Sequence, residues 1–190
     1  LKLAASQYPE NIIRAGTPEL VLEYMIERFR AWYEEANIPA EIFNAVSARK
    51  LSRPLDIHRR VQAVHAFSLL PQAQALAAAN KRVSNILGKL DSAHSFADVN
   101  ANLLVAPQEK ALALRLEELA ESCRTYLARD EYAEVLTCLA DLREPVDAFF
   151  DNVMVNVEEA VLRDNRLNLL KRLRDLFLEV ADISLLAVGK

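Results

Sequence analysis

Ala77-Ala78-Ala79-Asn80-Lys81-Arg82-Val83-Ser84-Asn85-Ile86-Leu87 is the stretch whose spacing decides the fold. Leu76, Ala79, Val83, Ile86, Leu87 and Leu90 recur every three or four residues, the period of a helix with one apolar face. Lys81, Arg82, Asn85 and Lys89 then project from the opposite, polar face. Pro71 upstream suits a helix opening, and Gly88 downstream terminates or loosens the last turn.

The same period continues in both directions. Thr17-Pro18-Glu19 combines a capping hydroxyl, a first-turn proline and an acid at the positive end of the dipole. Leu22, Met25, Ile26, Phe29, Trp32 and Tyr33 follow as one apolar stripe, ending near Asn37 because Pro39 cannot continue a helix. Ile42, Phe43 and Val46 suggest a short second helix, and Pro54 opens another carrying Ile57, Val61, Val64, His65 and Phe67. Residues 91–106 are the least regular and predict a loop with a short turn of helix. Leu112, Leu116, Leu119 and Cys123 mark a helix from about Pro107 to Leu127. The next starts near Glu131 and meets Pro145, where the lost bond to the Asp141 carbonyl predicts a kink or break. Phe149, Phe150 and Val153 continue its apolar face. Asn156 with Glu159 reads as a capping-box variant starting a final helix with Leu162, Leu169, Leu170, Leu173, Leu176, Phe177 and Val180 inward. No strand pattern of useful length and no fixed-period repeat occurs. The expectation is an all-α protein, an antiparallel helical bundle.

A chain of 190 residues fits one domain, or one domain with a helical extension. Its composition, 52% hydrophobic with three glycines, supplies a sizeable core and few forced turns. No apolar run approaches the ~20 residues of a membrane helix. The chain starts at Leu1 without Met, signal peptide or transit segment, and reads as a piece of a longer soluble protein. Residues 1–16 read as a remnant of a preceding domain or linker, and residues 17–190 as the helical domain. Cys123 and Cys138 lie in helical segments without metal-site spacing and read as buried, reduced thiols, which fits a cytoplasmic location.

The net charge of −4 argues against a nucleic-acid binder until its distribution is considered. Between Arg49 and Lys89 stand Arg49, Lys50, Arg53, Arg59, Arg60, Lys81, Arg82 and Lys89 against the single acid Asp56. The remainder holds 15 basic and 26 acidic residues. A basic face on an acidic body is the footprint of local RNA binding, and a basic surface helix pair with no RNA partner gives the same pattern. Trp32, Tyr33, Phe43 and Phe67 either stack on splayed bases or pack in the core; Tyr33, at the end of its stripe, is the best stacking candidate. Asn165 and Arg166 serve either RNA or an ion pair and cap within the bundle.

Catalytic signatures are missing. His58 and His65 stand two helical turns apart with Val61 and Gln62 between them, too far for one metal, and His94 has no evident partner. The scattered glycines form no phosphate loop, and no nucleophile–histidine–carboxylate order stands out. Glu117-Glu118 and Glu158-Glu159 are adjacent on helices and point apart, as solvated faces do.

The block from Ala77 to Leu87 has counterparts near the other end. These are Ala148-Phe149-Phe150-Asp151-Asn152-Val153-Met154-Val155-Asn156-Val157, Asn165-Arg166-Leu167-Asn168-Leu169-Leu170-Lys171-Arg172-Leu173-Arg174 and Val180-Ala181-Asp182-Ile183-Ser184-Leu185-Leu186. Together they resemble the C-terminal, DALR-type anticodon-binding region of the glycyl-tRNA synthetase β subunits of the bacterial two-subunit type. The literal Asp-Ala-Leu-Arg tetrapeptide is absent, so the resemblance rests on these blocks. It covers nearly the whole chain and implies a DALR-like anticodon-binding domain that reads tRNA and catalyses nothing. Its implied partners are tRNA-Gly, the rest of the β subunit and a catalytic α subunit, with no membrane. ATP and magnesium then belong to that α subunit, and no cofactor to this chain. The resemblance favours Lys81, Arg82 and Asn85 as RNA contacts; to these the basic window adds Arg53, Arg59 and Arg60 on phosphates, and the aromatic stripe adds Tyr33 as a stacking platform. The other reading is a structural module that docks proteins without reading RNA.

Overall fold

A computed structural model describes residues 1–9, 12–91 and 94–186. Among them there are nine α-helices and no strand: α1 (Lys2–Ala5), α2 (Thr17–Glu35), α3 (Ala40–Ser47), α4 (Pro54–Ser68), α5 (Ala73–Leu87), α6 (Pro107–Leu127), α7 (Tyr132–Ala140), α8 (Arg143–Asn152) and α9 (Ala160–Leu178). Two 3-10 turns, Ala101–Leu103 and Ile183–Leu186, complete the described residues. The all-α expectation holds. The short turn predicted within 91–106 is the first of these 3-10 turns, whose Asn102 nitrogen donates to the Asn100 side chain.

Helix ends follow backbone chemistry. After α2 the Asn37 nitrogen donates to the Glu34 carbonyl and the Ile38 nitrogen to the Tyr33 carbonyl. Asn37 takes the left-handed conformation (φ 59°), and Ile38 is buried. This paired closure needs one left-handed residue, and asparagine tolerates it at low cost. Asp130 (φ 56°) closes α6 in the same way, with Glu131 donating to the Tyr126 carbonyl. Gly16 (φ 84°), rather than Thr17, precedes the first turn of α2, so the predicted hydroxyl cap is not formed. Gly88 ends α5 in right-handed conformation, its nitrogen 2.8 Å from the Ser84 carbonyl.

Two boundaries depart from the periodicity. The break expected at Pro145 falls earlier, between α7 and α8, and Pro145 sits in the first turn of α8. A first-turn nitrogen has no helical partner, so proline removes nothing there. The final helix starts at Ala160, four residues after Asn156. Val153 and Val155 are buried and hold the connector against the core, so Asn156 caps nothing.

Phe43, Phe67, Phe149 and Phe177 anchor one continuous core that takes residues from every helix from α2 to α9. α6 packs against α7, α8 and α9, while α4 packs on α3 and α7. The C-terminal 3-10 turn returns to α3 and α5, and the Asp182 nitrogen donates to the Ala45 carbonyl at 2.9 Å. Glu109 of α6 is fully buried and pairs with Arg166 of α9. Its second oxygen accepts from the Ala106 nitrogen at 2.6 Å, and Arg166 also donates to the Met154 carbonyl at 2.9 Å. Asn165 accepts from the Asn100 nitrogen and donates to its carbonyl. Both residues left open between RNA and bundle roles are therefore occupied inside the bundle.

The apolar stripe predicted for α2 is only partly used. Tyr33 is buried, Leu22, Ile26 and Phe29 are half-buried, and Met25 and Trp32 are exposed. Leu20, Val21 and Tyr24 are also exposed, because α2 packs chiefly on the short helix α3.

Candidate nucleic-acid interface

α5 is built to show one polar face. Leu76, Ala77 and Val83 are buried, and buried Asn80 donates to the Leu76 carbonyl at 3.0 Å. Lys81, Arg82 and Asn85 are exposed, as the periodicity predicts. On its other flank Ser84 accepts from Arg174 of α9 at 2.9 Å, and Arg174 also bonds Asp182. The face is thereby held by α9 on one side. On the other, the Arg82 guanidinium lies 4.3 Å from the ring centroid of Phe150 in α8. Cation and ring attract through the ring's quadrupole, by about 0.5–1 kcal/mol at exposed sites.

The remaining predicted contacts divide. Arg53 is exposed just before α4. Arg59 is exposed and bridges to Asp130 at 3.0 Å. Arg60 requires correction as a phosphate contact. Its guanidinium lies 4.0 Å over the Tyr132 ring, bonds Asp56 at 3.1 Å, and donates to the carbonyls of Glu179 and Val180. Its donors are spent tying α4 to α7 and to the end of α9. The Tyr132 hydroxyl bonds Asp56 and Asp130, and burial pushes its pKa well up.

Tyr33 also requires correction, since only 3% of it is exposed. Its hydroxyl lies 3.1 Å from His58 Nδ1, its ring packs on Phe43 and His58, and burial raises its pKa. The aromatic that reaches the surface there is Trp32, stacked on the His58 ring at 5.5 Å. Phe43 and Phe67 are core residues. The apolar pattern groups Phe150 with the core, although adjacent Phe149 and Phe150 diverge by about 100° on a helix and cannot face one interior equally. That divergence was the available signal.

Other features are less suited to chemistry. Burial pushes the Cys123 thiol up to about 11 and raises that of Cys138 as well, so both are protonated near neutrality. An open cavity of about 590 Å3 lies between residues 96–99 and α9, lined by Phe96, Asn168, Lys171 and Arg172 among others. Among the described residues no helix is long and apolar enough to cross a membrane.

The family model of the DALR anticodon binding domain matches residues 76–183, which include all of the α5 polar face and Phe150. The chain is 54% identical, over 90% of its length and 25% of the relative's, to a Marinobacter nauticus protein named glycine–tRNA ligase beta subunit. It is 50% identical to the Chromohalobacter salexigens protein of that name (97% of this chain, 27% of the relative), and 48% identical to that of Actinobacillus pleuropneumoniae (98% and 27%). The chain thus spans about a quarter of the length of the curated relatives it matches.

Proposed function

We propose that this chain, which belongs to the DALR anticodon binding domain family, is the tRNA-reading part of a glycine–tRNA ligase β subunit. The observation that carries this reading is the α5 face. Lys81, Arg82 and Asn85 stand exposed together within the stretch that matches the anticodon-binding model. Glycine codons begin with two guanines, so every glycine anticodon carries two cytosines. An unpaired cytosine offers an exocyclic amino donor beside two acceptors. Arg82 supplies donors, Asn85 supplies both kinds of group, and Lys81 suits the neighbouring phosphate. On this reading the partner is tRNA-Gly, catalysis belongs to a separate α subunit with ATP and magnesium, and this chain binds no cofactor. The setting is the cytoplasm, where protein synthesis takes place.

The test is binding of tRNA-Gly and of transcripts with either anticodon cytosine changed to uracil, at two salt concentrations. Native tRNA should bind tighter, and affinity should fall with salt by roughly 0.7 logarithmic units per decade for each single-strand phosphate engaged. Equal affinity for all transcripts would sink the reading.

Exposed Leu20, Tyr24, Met25 and Trp32 on α2 favour a second, compatible role in docking protein. Polar substitutions there should then weaken association with the remainder of the ligase while leaving isolated tRNA binding unchanged.

A further inference from the structure

Phe150 does not share the environment of its neighbour. Phe149 is fully buried, Phe150 is half-buried, and the two rings meet edge to face at 5.5 Å. The Phe150 ring carries the Arg82 guanidinium. Among the described residues four arginines lie over rings: Arg28 over Tyr24, Arg30 over Phe43, Arg60 over Tyr132, and Arg82 over Phe150. The first three use their N–H groups within the protein. Arg28 donates to the Tyr24 hydroxyl, Arg30 to Glu27 and Asn44, and Arg60 to Asp56, Tyr132 and two carbonyls. Among the described residues Arg82 makes no ion pair, and its ring partner has no acceptor atom. A guanidinium whose carbon is held over a ring face is attracted to that face, and the ring takes none of its N–H donors. Phe150 therefore sets the orientation of a donor fork without consuming its donors.

We propose that Phe150 is a positioning residue for base reading, holding the Arg82 fork for two adjacent acceptors, O2 and N3 on the Watson–Crick edge of an unpaired cytosine. This deepens the tRNA reading above and rests on it. Uracil keeps O2 but carries a proton on N3, so one arm of a fixed fork meets another donor. Asn85, three residues further along the same face, has the carbonyl oxygen to accept from the cytosine amino group. A freely rotating arginine could slide its fork to avoid the clash with uracil. A stacked one cannot without leaving the ring.

The experiment measures dissociation constants of the 190-residue chain for native tRNA-Gly and for the two cytosine-to-uracil transcripts. The proteins are wild type, Phe150→Leu, Phe150→Trp, Arg82→Lys and Arg82→Ala, each checked by thermal melting. Phe150→Leu should narrow the cytosine-over-uracil ratio by roughly two- to fivefold, the range expected for an exposed cation–π contact. Phe150→Trp, which keeps a ring face, should restore it. Arg82→Lys keeps the charge but loses the planar fork, and should narrow the ratio as far as Arg82→Ala. A bracing role confined to stability would lower the melting temperature and leave the ratio alone, which overturns the proposal. If Phe150→Leu fails to fold, Arg82→Lys decides: a ratio at the wild-type value overturns it. Should Arg82→Ala narrow the ratio while folded Phe150→Leu does not, the positioning role falls and the tRNA reading stands. A wild-type chain indifferent to the anticodon overturns both.

Discussion

Arg59 and Arg60 are neighbours in sequence and serve different purposes. Arg59 lies in solvent beside Asp130, whereas the Arg60 side chain is only 11% exposed and its partner Asp56 only 14%. Removing one member of a largely buried pair leaves the other uncompensated. Arg60→Ala should therefore cost about 3–5 kcal/mol, and Arg59→Ala about 0–1 kcal/mol, in urea unfolding. Equal costs would show that Arg60 is not the structural member. The sequence could not separate them, because the partners Tyr132 and Val180 come from distant parts of the chain. Tyr33 was misplaced for a related reason: a stripe shows which face is apolar, but not how much of it a neighbour covers. Cys123 was legible as a buried thiol, and its titration can be checked. Its pKa is raised to about 11, so its neutral-form stabilisation is complete below the ordinary thiol value and is lost as pH rises through about 11. Across that alkaline window, the urea midpoint of Cys123→Ala should fall less steeply with pH than that of wild type.

The helices themselves were largely legible, since apolar periodicity and proline openings are local signals. The exceptions at Pro145 and Asn156 came from tertiary packing. The sequence pattern makes Pro145 interrupt a continuous helix, but it occupies the first turn of α8, where no bond is lost. Pro145→Ala should consequently change stability by less than about 1 kcal/mol, since alanine restores a donor that has no helical acceptor. A large gain in stability, with α7 and α8 fusing into one rod, would indicate that the proline causes the break. Asn156 had the residue pattern of a cap, but it lies beyond two buried valines that hold the connector away from helical geometry. Local pattern cannot weigh a capping bond against burial of Val153 and Val155.

Across the molecule, Glu109 and Arg166 link parts of the chain that periodicity treats as independent. A charge with no exposed surface is costly to leave single. Glu109→Gln should destabilise the fold by about 3–5 kcal/mol, because Arg166 then stays buried without its counter-charge. Replacing both residues together with apolar side chains of similar volume should cost less than the single change. If unfolding measurements put the double variant below the single one, the pair is stabilising by more than mutual neutralisation. Both residues were visible in the sequence, but their pairing was not, because 57 positions separate them.

The connector between α8 and α9 also differs from an ordinary joint. It has no helical structure over residues 153–159, yet Val153 and Val155 are buried and the Met154 carbonyl is held by Arg166. Connectors of this length are usual points of protease entry, because cleavage needs several residues to lift free of the surface. Here lifting would expose two valines and break a bond to a buried charge. Thermolysin, which favours bonds beside aliphatic residues, should therefore leave 153–157 intact in the native chain, while the stretch around Leu69, 76% exposed at the end of α4, is cut early. Mass analysis of the first fragments would show whether the segment resists digestion as a wall of the core or yields like a hinge.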